Sequence, residues 1–168
     1  NLSALNEREL RGKSLFFGKA RCAECHSGTA FTNDSAHNIG LDAKNLLGFE
    51  DLGRLEFTLG ADDRSRFLTP SLRNIELTPP YFHDGSAKTL EEAIKHYNTV
   101  FEKPSNGSPL DSSITLINLS DDEVDDLAAF LKTLTGRLPE VKVPIYSDPI
   151  RELPQTENLS LLKSSQFF

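Results

Sequence analysis

The sequence lacks methionine entirely and contains only two cysteines among its 168 residues. A methionine sulfur therefore cannot be a metal ligand, and a site that uses both cysteines leaves no thiol for a second one. Long apolar runs are also missing, since the longest, the Leu-Ala-Ala-Phe-Leu of residues 127–131, has only five residues. A membrane-spanning helix needs roughly 18 apolar residues in a row. We therefore expect no membrane span.

Positive charge is scarce and is not concentrated anywhere. The formal net charge is −7, and the acidic residues are spread along the chain rather than gathered into a tail. Proteins that bind nucleic acid present a basic stripe to the phosphates, and none is visible here. The charge excludes nucleic acid as the expected partner and permits a basic protein partner.

The length permits one domain with a real core, because folding a chain of this size buries roughly 70% of its surface. The chain opens at Asn1 without the charged and apolar regions of a secretion signal. We expect either that a targeting segment has been removed or that the sequence is a piece of a longer polypeptide.

Three capping patterns predict helices. Each is an Asn, Ser or Thr followed three residues later by Glu, which is the arrangement of a capping box. The predicted helices are residues 7–17 after Asn6, ended by Gly18; about 90–98 after Thr89; and about 121–134 after Ser120, ended by Gly136. Between them the chain is rich in Gly, Asp, Asn and Pro, with short strands conceivable only near 55–59. A mostly helical fold with long loops follows.

One motif carries specific chemistry: Cys22-Ala23-Glu24-Cys25-His26 has the C-x-x-C-H spacing of covalent haem attachment. Two thiols separated by two residues can form thioethers with the two vinyl groups of one porphyrin. The histidine that follows can then bind the iron. The motif predicts one haem c, held by Cys22 and Cys25 with His26 as an axial ligand.

Two other interpretations of the motif are weaker. A zinc site would need a further cysteine or histidine pair at ligand spacing, and the remaining histidines are scattered. A redox-active Cys-x-x-Cys would be expected in a βαβ context, which the pattern does not predict. Because haem is attached outside the bacterial cytoplasm, we expect a periplasmic or otherwise exported protein.

The haem motif is one of several segments that resemble the C-terminal haem domain of the bacterial dihaem cytochrome c peroxidases and MauG-like proteins. The resemblance covers about residues 7–136. The other segments are GKSLF at 12–16, FTN at 31–33, HNIG at 37–40, TPSLRN at 69–74, LTPPYFHDG at 77–85 and FLKTLTG at 130–136. It implies a mostly α, cytochrome c-like haem domain with little or no sheet at 1–136. Residues 137–168 are expected to form an extended, proline-containing tail.

The resemblance also implies an activity. In that family a C-terminal haem receives electrons and passes them to a second haem, where hydrogen peroxide usually reacts. The expected function is therefore electron transfer in a peroxidase or MauG-like oxidoreductase, with an external protein donor or substrate. The second haem would lie in another chain, in a part not present here, or nowhere if one haem suffices. No catalytic residue is assigned.

With no methionine in the chain, ligation of the iron by histidine and methionine is excluded. By resemblance, Tyr97 occupies the position of the peroxidase methionine, and MauG-like proteins have a tyrosine ligand there. Independently, Tyr97 shares one predicted helix face with Leu90, Ala93 and Ile94, whereas His96 points about 100° away. Tyr97 as a core aromatic, a histidine ligand (His37, His83 or His96) and an open iron site remain alternatives.

Several further residues are candidates for supporting roles. His37 and His83 are candidates for a direct catalytic role, against an ordinary structural one. The propionates of a haem could pair with arginine forks, and the candidates are Arg54, Arg64 and Arg73. By resemblance, a calcium ion would bind backbone carbonyls of Thr78 and Pro80, against a plain proline-stiffened turn.

Two functions of other classes compete with the enzyme. The chain could be a non-enzymatic, low-potential monohaem electron carrier. It could also be a haem sensor whose open iron site binds a small ligand. Reduction potential and spin state distinguish these from the peroxidase domain.

Overall fold

The structure of the chain is a computed structural model that describes residues 4–41, 50–102 and 108–136. The predicted tail at 137–168 lies outside the described residues. The described part is mostly helical, as predicted. Its α-helices are α1 (Glu7–Phe17), α2 (Leu55–Thr58), α3 (Leu90–Thr99) and α4 (Asp121–Lys132), joined by long loops and short 3-10 turns.

The capping residues set the helix starts that the sequence predicted. In α1 the Asn6 side chain accepts a hydrogen bond from the Glu9 amide at 3.0 Å. The Glu9 carboxylate in turn accepts one from the Asn6 amide at 2.8 Å. Ser120 and Glu123 form the same reciprocal pair at α4. The Thr89 side chain caps α3 by accepting from the Glu92 amide at 3.1 Å. These caps satisfy amides that would otherwise lack partners.

The core lies where α1 and α3 pack against α4. Phe16 is fully buried, and its ring lies 5.3 Å from that of Phe130 on α4. Gly12 allows the two helix backbones to meet, because a Cβ there would lie 1.9 Å from the Asp126 carbonyl oxygen. Leu10 of the same helix is 39% exposed.

The sheet is minimal. Strand β1 (Ala36–His37) pairs antiparallel with β2 (Phe67–Leu68), so that His37 lies opposite Phe67. The segment near 55–59, where short strands were conceivable, is instead the helical turn α2, ended by Leu59 in the left-handed conformation. Its backbone bonds are local, since the Leu59 amide donates to the Leu55 carbonyl at 2.9 Å.

The loop before α4 is tied to α3 by one side chain. Asn98 donates from Nδ2 to the Leu119 carbonyl at 2.8 Å and accepts from the Leu119 amide at 3.0 Å. This pair holds the 108–119 segment against the helix. None of the helices in the described ranges is long and apolar enough to cross a membrane.

Candidate haem site

A cavity of about 510 Å³ opens between α3, α4 and the segment that carries the C-x-x-C-H motif. We call it the central cavity. Most of its wall is apolar, with α4 supplying Leu127 and Leu131. Among the residues that line it are those named from the sequence: Cys22, Cys25, His26, Tyr97, His37 and His83. The fold therefore brings residues from distant parts of the sequence to one space.

The motif itself forms a tight turn. Residues Cys22–Glu24 are a 3-10 turn, and the His26 amide donates to the Cys22 carbonyl at 2.8 Å. The His26 side chain is oriented through Nδ1, which lies 3.1 Å from the Phe31 carbonyl oxygen. With the proton on Nδ1, the lone pair is on Nε2, as in metal-binding histidines whose other nitrogen donates to a carbonyl.

The two thiols do not have the character of a redox-active pair. Burial raises the pKa of Cys22 to about 12. Burial also raises the pKa of Cys25, although a hydrogen bond with Ser113 acts in the opposite direction. Both groups stay protonated at neutral pH, whereas reactive Cys-x-x-Cys thiols have lowered pKa values. The described residues also contain no cluster of three His, Cys, Asp or Glu that could hold a metal ion, so no zinc site is evident in that part of the chain.

Tyr97 lies on the wall of the cavity together with the rest of its helix face, Leu90, Ala93 and Ile94. Burial raises the pKa of its phenol, and the nearby thiols of Cys22 and Cys25 add to this. Among the described residues its hydroxyl has no hydrogen-bond partner. The hydroxyl of Tyr81, by contrast, donates to the Ile75 carbonyl at 3.2 Å.

The histidines differ in how far their nitrogens are engaged. His96 is buried, is not part of the cavity wall, and its Nε2 lies 2.7 Å from the Ile39 carbonyl oxygen. His37 lines the cavity, but Nδ1 is 2.9 Å from Asp111 and Nε2 is 3.0 Å from Asn33. The His83 ring stacks on Phe67 with the ring centres 3.4 Å apart.

The arginines predicted to meet the propionates lie elsewhere. Arg54 pairs with Asp63 at 3.3 Å, Arg64 pairs with Glu50, and Arg73 donates to the Thr29 carbonyl at 2.9 Å. None of the three lines the central cavity. Among the described residues Arg21, which directly precedes Cys22, is the arginine that lines the cavity, and it was not among the arginines predicted to meet the propionates.

Arg21 bridges two parts of the cavity rim. Its guanidinium is 2.6 Å from the Glu24 carboxylate and 3.2 Å from the Thr115 hydroxyl. Ser113, two residues earlier, lies 3.7 Å from the Cys25 sulfur. The 111–115 segment that makes these contacts contains no motif, so only the tertiary structure reveals its position.

Thr78 and Pro80 are exposed and line the cavity. The Thr78 hydroxyl donates to the Ile75 carbonyl at 3.2 Å.

The donor set of the cavity fits a haem. Two thiols separated by two residues stand on a wall that also carries an oriented imidazole and a phenol without a hydrogen-bond partner among the described residues. The remaining wall is mostly apolar, as a porphyrin ring requires. These features together define a covalent haem domain.

The cytochrome c family profile matches residues 10–135, and the chain belongs to this family. Membership implies a covalently bound haem c as the cofactor. It also confirms the predicted fold class.

The relatives narrow the relationship further. A cytochrome c551 peroxidase of Nitrosomonas europaea is 38% identical over 160 residues, which cover 92% of this chain and 42% of that protein. The methylamine utilization protein MauG of Methylorubrum extorquens is 41% identical over 145 residues, 84% of this chain and 38% of MauG. These relatives confirm the resemblance predicted from the motifs.

A solved structure agrees with the sequence relatives. The crystal structure of a MauG-like protein associated with microbial copper homeostasis has a TM-score of 0.69 and 36% identity. The match covers 79% of this chain and 48% of that protein. The chain thus spans less than half the length of the relatives and of the structure compared here.

Proposed function

We propose that this chain is the electron-transferring haem domain of a hydrogen-peroxide-dependent peroxidase or MauG-like oxidoreductase. It would relay electrons between an external protein donor and a second haem. The observation that carries the proposal is that Cys22, Cys25, His26 and Tyr97 stand on the wall of one cavity.

Each of these residues has a role that its chemistry suits. Cys22 and Cys25 would form the thioethers, and His26 would bind iron through Nε2. The contact of its Nδ1 with the Phe31 carbonyl supports this assignment, because it fixes the ring orientation. The haem would supply one-electron redox chemistry.

Tyr97 is the proposed second axial ligand. Support comes from its place on the cavity wall and from the lack of a protein partner for its hydroxyl among the described residues. Two of the histidine alternatives are weaker, because the nitrogens of His37 and Nε2 of His96 are already engaged, and His83 on the cavity wall is the competing ligand. A tyrosine ligand favours ferric iron and a low reduction potential, relative to methionine.

The second haem and the peroxide reaction are proposed from the relatives. These relatives are named as a peroxidase and as MauG. More than half of each relative's own length lies outside the part that matches this chain. We place the second haem in a further domain or a separate chain. An exported location fits a haem c protein and the family resemblance.

A calcium ion is proposed at the backbone carbonyls of Thr78 and Pro80. Their exposure at the cavity rim supports the assignment, since calcium takes oxygen ligands from several sources, including water. Isothermal titration of the haem-loaded protein with calcium tests it directly. We expect a heat of calcium binding that disappears with EGTA and is unchanged by magnesium. The absence of such a calcium-specific heat would contradict the site.

Haem attachment is tested by mass spectrometry of the denatured protein, produced together with a c-type haem maturation system. One covalent haem is expected on the unchanged chain. The Cys22→Ala and Cys25→Ala variants should each lose one thioether, which shifts the α band of the pyridine haemochrome. A chain that carries only extractable haem would contradict the attachment site.

The relay role is tested by stopped-flow spectroscopy with hydrogen peroxide. The ferric domain alone should react slowly, because its iron is expected to have both axial positions filled. Reduced domain should be oxidised rapidly only when a peroxide-reactive haem domain of a relative is also present. Fast reaction of the domain alone would instead favour an open, directly reactive or sensing haem.

A further inference from the structure

A partly buried carboxylate, that of Asp111, lies beside the central cavity and bonds to two residues of its wall. Asp111 Oδ2 is 2.9 Å from Nδ1 of His37. Asp111 Oδ1 accepts hydrogen bonds from the Ser113 hydroxyl at 2.8 Å and the Ser113 amide at 3.1 Å. Only 13% of the Asp111 side chain and 15% of the His37 side chain are exposed. We call Asp111, His37, Ser113 and Arg66 the Asp111 cluster.

The hydrogen bonds fix where the proton of His37 resides. Asn33 donates from Nδ2 to Nε2 of His37 at 3.0 Å, since the oxygen of that amide, Oδ1, accepts from the Ser35 backbone amide. The neutral His37 ring therefore carries its proton on Nδ1 and donates it to Asp111. This arrangement keeps the carboxylate in place beside the cavity.

Asp111 is negatively charged at neutral pH. Burial acts to raise the pKa of this carboxyl, but the hydrogen bonds from His37 and Ser113 outweigh it and lower the pKa to about 2. Among the described residues the cation paired with Asp111 is Arg66, whose Nη1 is 3.7 Å from Oδ2. Because 36% of the Arg66 side chain is exposed, solvent screens its charge more than that of Asp111.

The cluster reaches the haem attachment segment through one contact. The Ser113 hydroxyl bonds Asp111 and lies 3.7 Å from the Cys25 sulfur. His37, Ser113 and Cys25 all line the central cavity. The proposed attachment and ligation of the haem use none of Asp111, His37 and Ser113.

We propose that the negative charge of Asp111 lowers the reduction potential of the haem held at Cys22 and Cys25. The inference rests on the proposed haem site. A fixed negative charge that solvent screens poorly stabilises the more positive, oxidised state of a nearby redox centre. Arg66 opposes this effect from the other side of the carboxylate.

The test is spectroelectrochemical titration of the haem-loaded protein and three variants. Asp111→Asn removes the charge but keeps the shape, and it should raise the midpoint potential. At a fixed electrode potential the ratio of oxidised to reduced haem should fall several-fold, where tenfold corresponds to about 59 mV for one electron. Arg66→Gln should shift the potential in the opposite direction.

Asp122→Asn is the matched control, because it removes the same charge from an exposed residue of α4 that does not line the cavity. Its shift should be clearly smaller. The inference is overturned if Asp111→Asn shifts the potential no more than Asp122→Asn. It is also overturned if Asp111→Asn and Arg66→Gln move it in the same direction, as a merely loosened structure would.

If Asp111→Asn does not accumulate with haem, Ser113→Ala carries the test. Removing the hydroxyl takes a donor from the carboxylate, so the potential should fall, and a rise would overturn the inference. Failure of the unchanged chain to bind haem is a different result, because it would reject the haem site itself. Normal haem loading without the expected shifts rejects only the role of Asp111.

Discussion

Gly12 of α1 lies directly against the backbone of Asp126 in α4, and a Cβ at this glycine would be 1.9 Å from the Asp126 carbonyl oxygen. The Cβ of Phe130 would also be only 2.8 Å from the added Cβ. Because a helix carbonyl cannot swing aside as a side chain can, the two helices would have to separate. The contact therefore sets the spacing of α1 and α4, on which the wall of the central cavity depends.

Gly12→Ala should destabilise the protein although alanine is the better helix former. The gain in helix propensity is about 1 kcal/mol. Overpacking in a closed interface costs about 1–3 kcal/mol, and a clash with backbone belongs at the upper end. We expect a net loss of about 2 kcal/mol in the free energy of unfolding, measured by urea denaturation.

Gly60→Ala is the control for this substitution. A Cβ at Gly60 would meet nothing closer than 3.7 Å, and its φ of −88° suits any residue. Its stability should be unchanged or slightly higher. Equal stabilities of the two variants would mean that α1 and α4 are not packed as described.

The ion pair between Arg11 and Asp126 should make stability depend on acid pH. The hydrogen bond from Arg11, at 2.6 Å, lowers the pKa of Asp126 below its ordinary value. A carboxyl with a depressed folded-state pKa stabilises the fold above its unfolded pKa, and this contribution is lost as the pH falls through the folded pKa.

Asp126→Asn should therefore be less stable than the unchanged chain at pH 7, and the difference should shrink towards about pH 3. Urea denaturation at a series of pH values measures it. Asp62→Asn is the control, because Asp62 is exposed and has no ion-pair partner in the described part of the chain. A stability difference for Asp126→Asn that is constant with pH would contradict the role of the ion pair.

Asn98→Ala should loosen the segment before α4. Asn98 satisfies both the amide and the carbonyl of Leu119, a residue that is 6% exposed. Leaving two buried backbone groups without partners costs about 2 kcal/mol or more. Thermal unfolding should show the loss, whereas Thr99→Ala, which alters an exposed neighbour, should have little effect. An unchanged melting temperature for Asn98→Ala would show that water replaces the amide.

The helices were predictable because their signals are local. The capping residue and its glutamate lie three positions apart, so Asn6, Thr89 and Ser120 marked the starts of α1, α3 and α4. The burial of α1 was less predictable. Leu10 is exposed and Phe16 is buried because the close approach at Gly12 turns that side of the helix to α4.

The residues of the candidate site likewise differ in how far the sequence predicts them. The C-x-x-C-H motif is contiguous, and Tyr97 follows from the apolar face of a single helix. Asp111 and Ser113 could not be predicted, because their contacts with His37 and Cys25 span 74 and 88 positions and carry no pattern. Arg21 had a weak signal, its place before Cys22, but the residue it bonds across the rim, Thr115, is 94 positions away.

The measurement that tests the central claim most directly is the visible and EPR spectrum of the ferric, haem-loaded chain and its Tyr97→Phe variant. If His26 and Tyr97 are the axial ligands, the unchanged chain should be low-spin and Tyr97→Phe should become high-spin. Tyr81→Phe is the matched control, since Tyr81 also lines the cavity but its hydroxyl bonds the Ile75 carbonyl. That control should remain low-spin. A high-spin spectrum in the unchanged chain, or a low-spin spectrum that survives Tyr97→Phe, would contradict the proposed ligation.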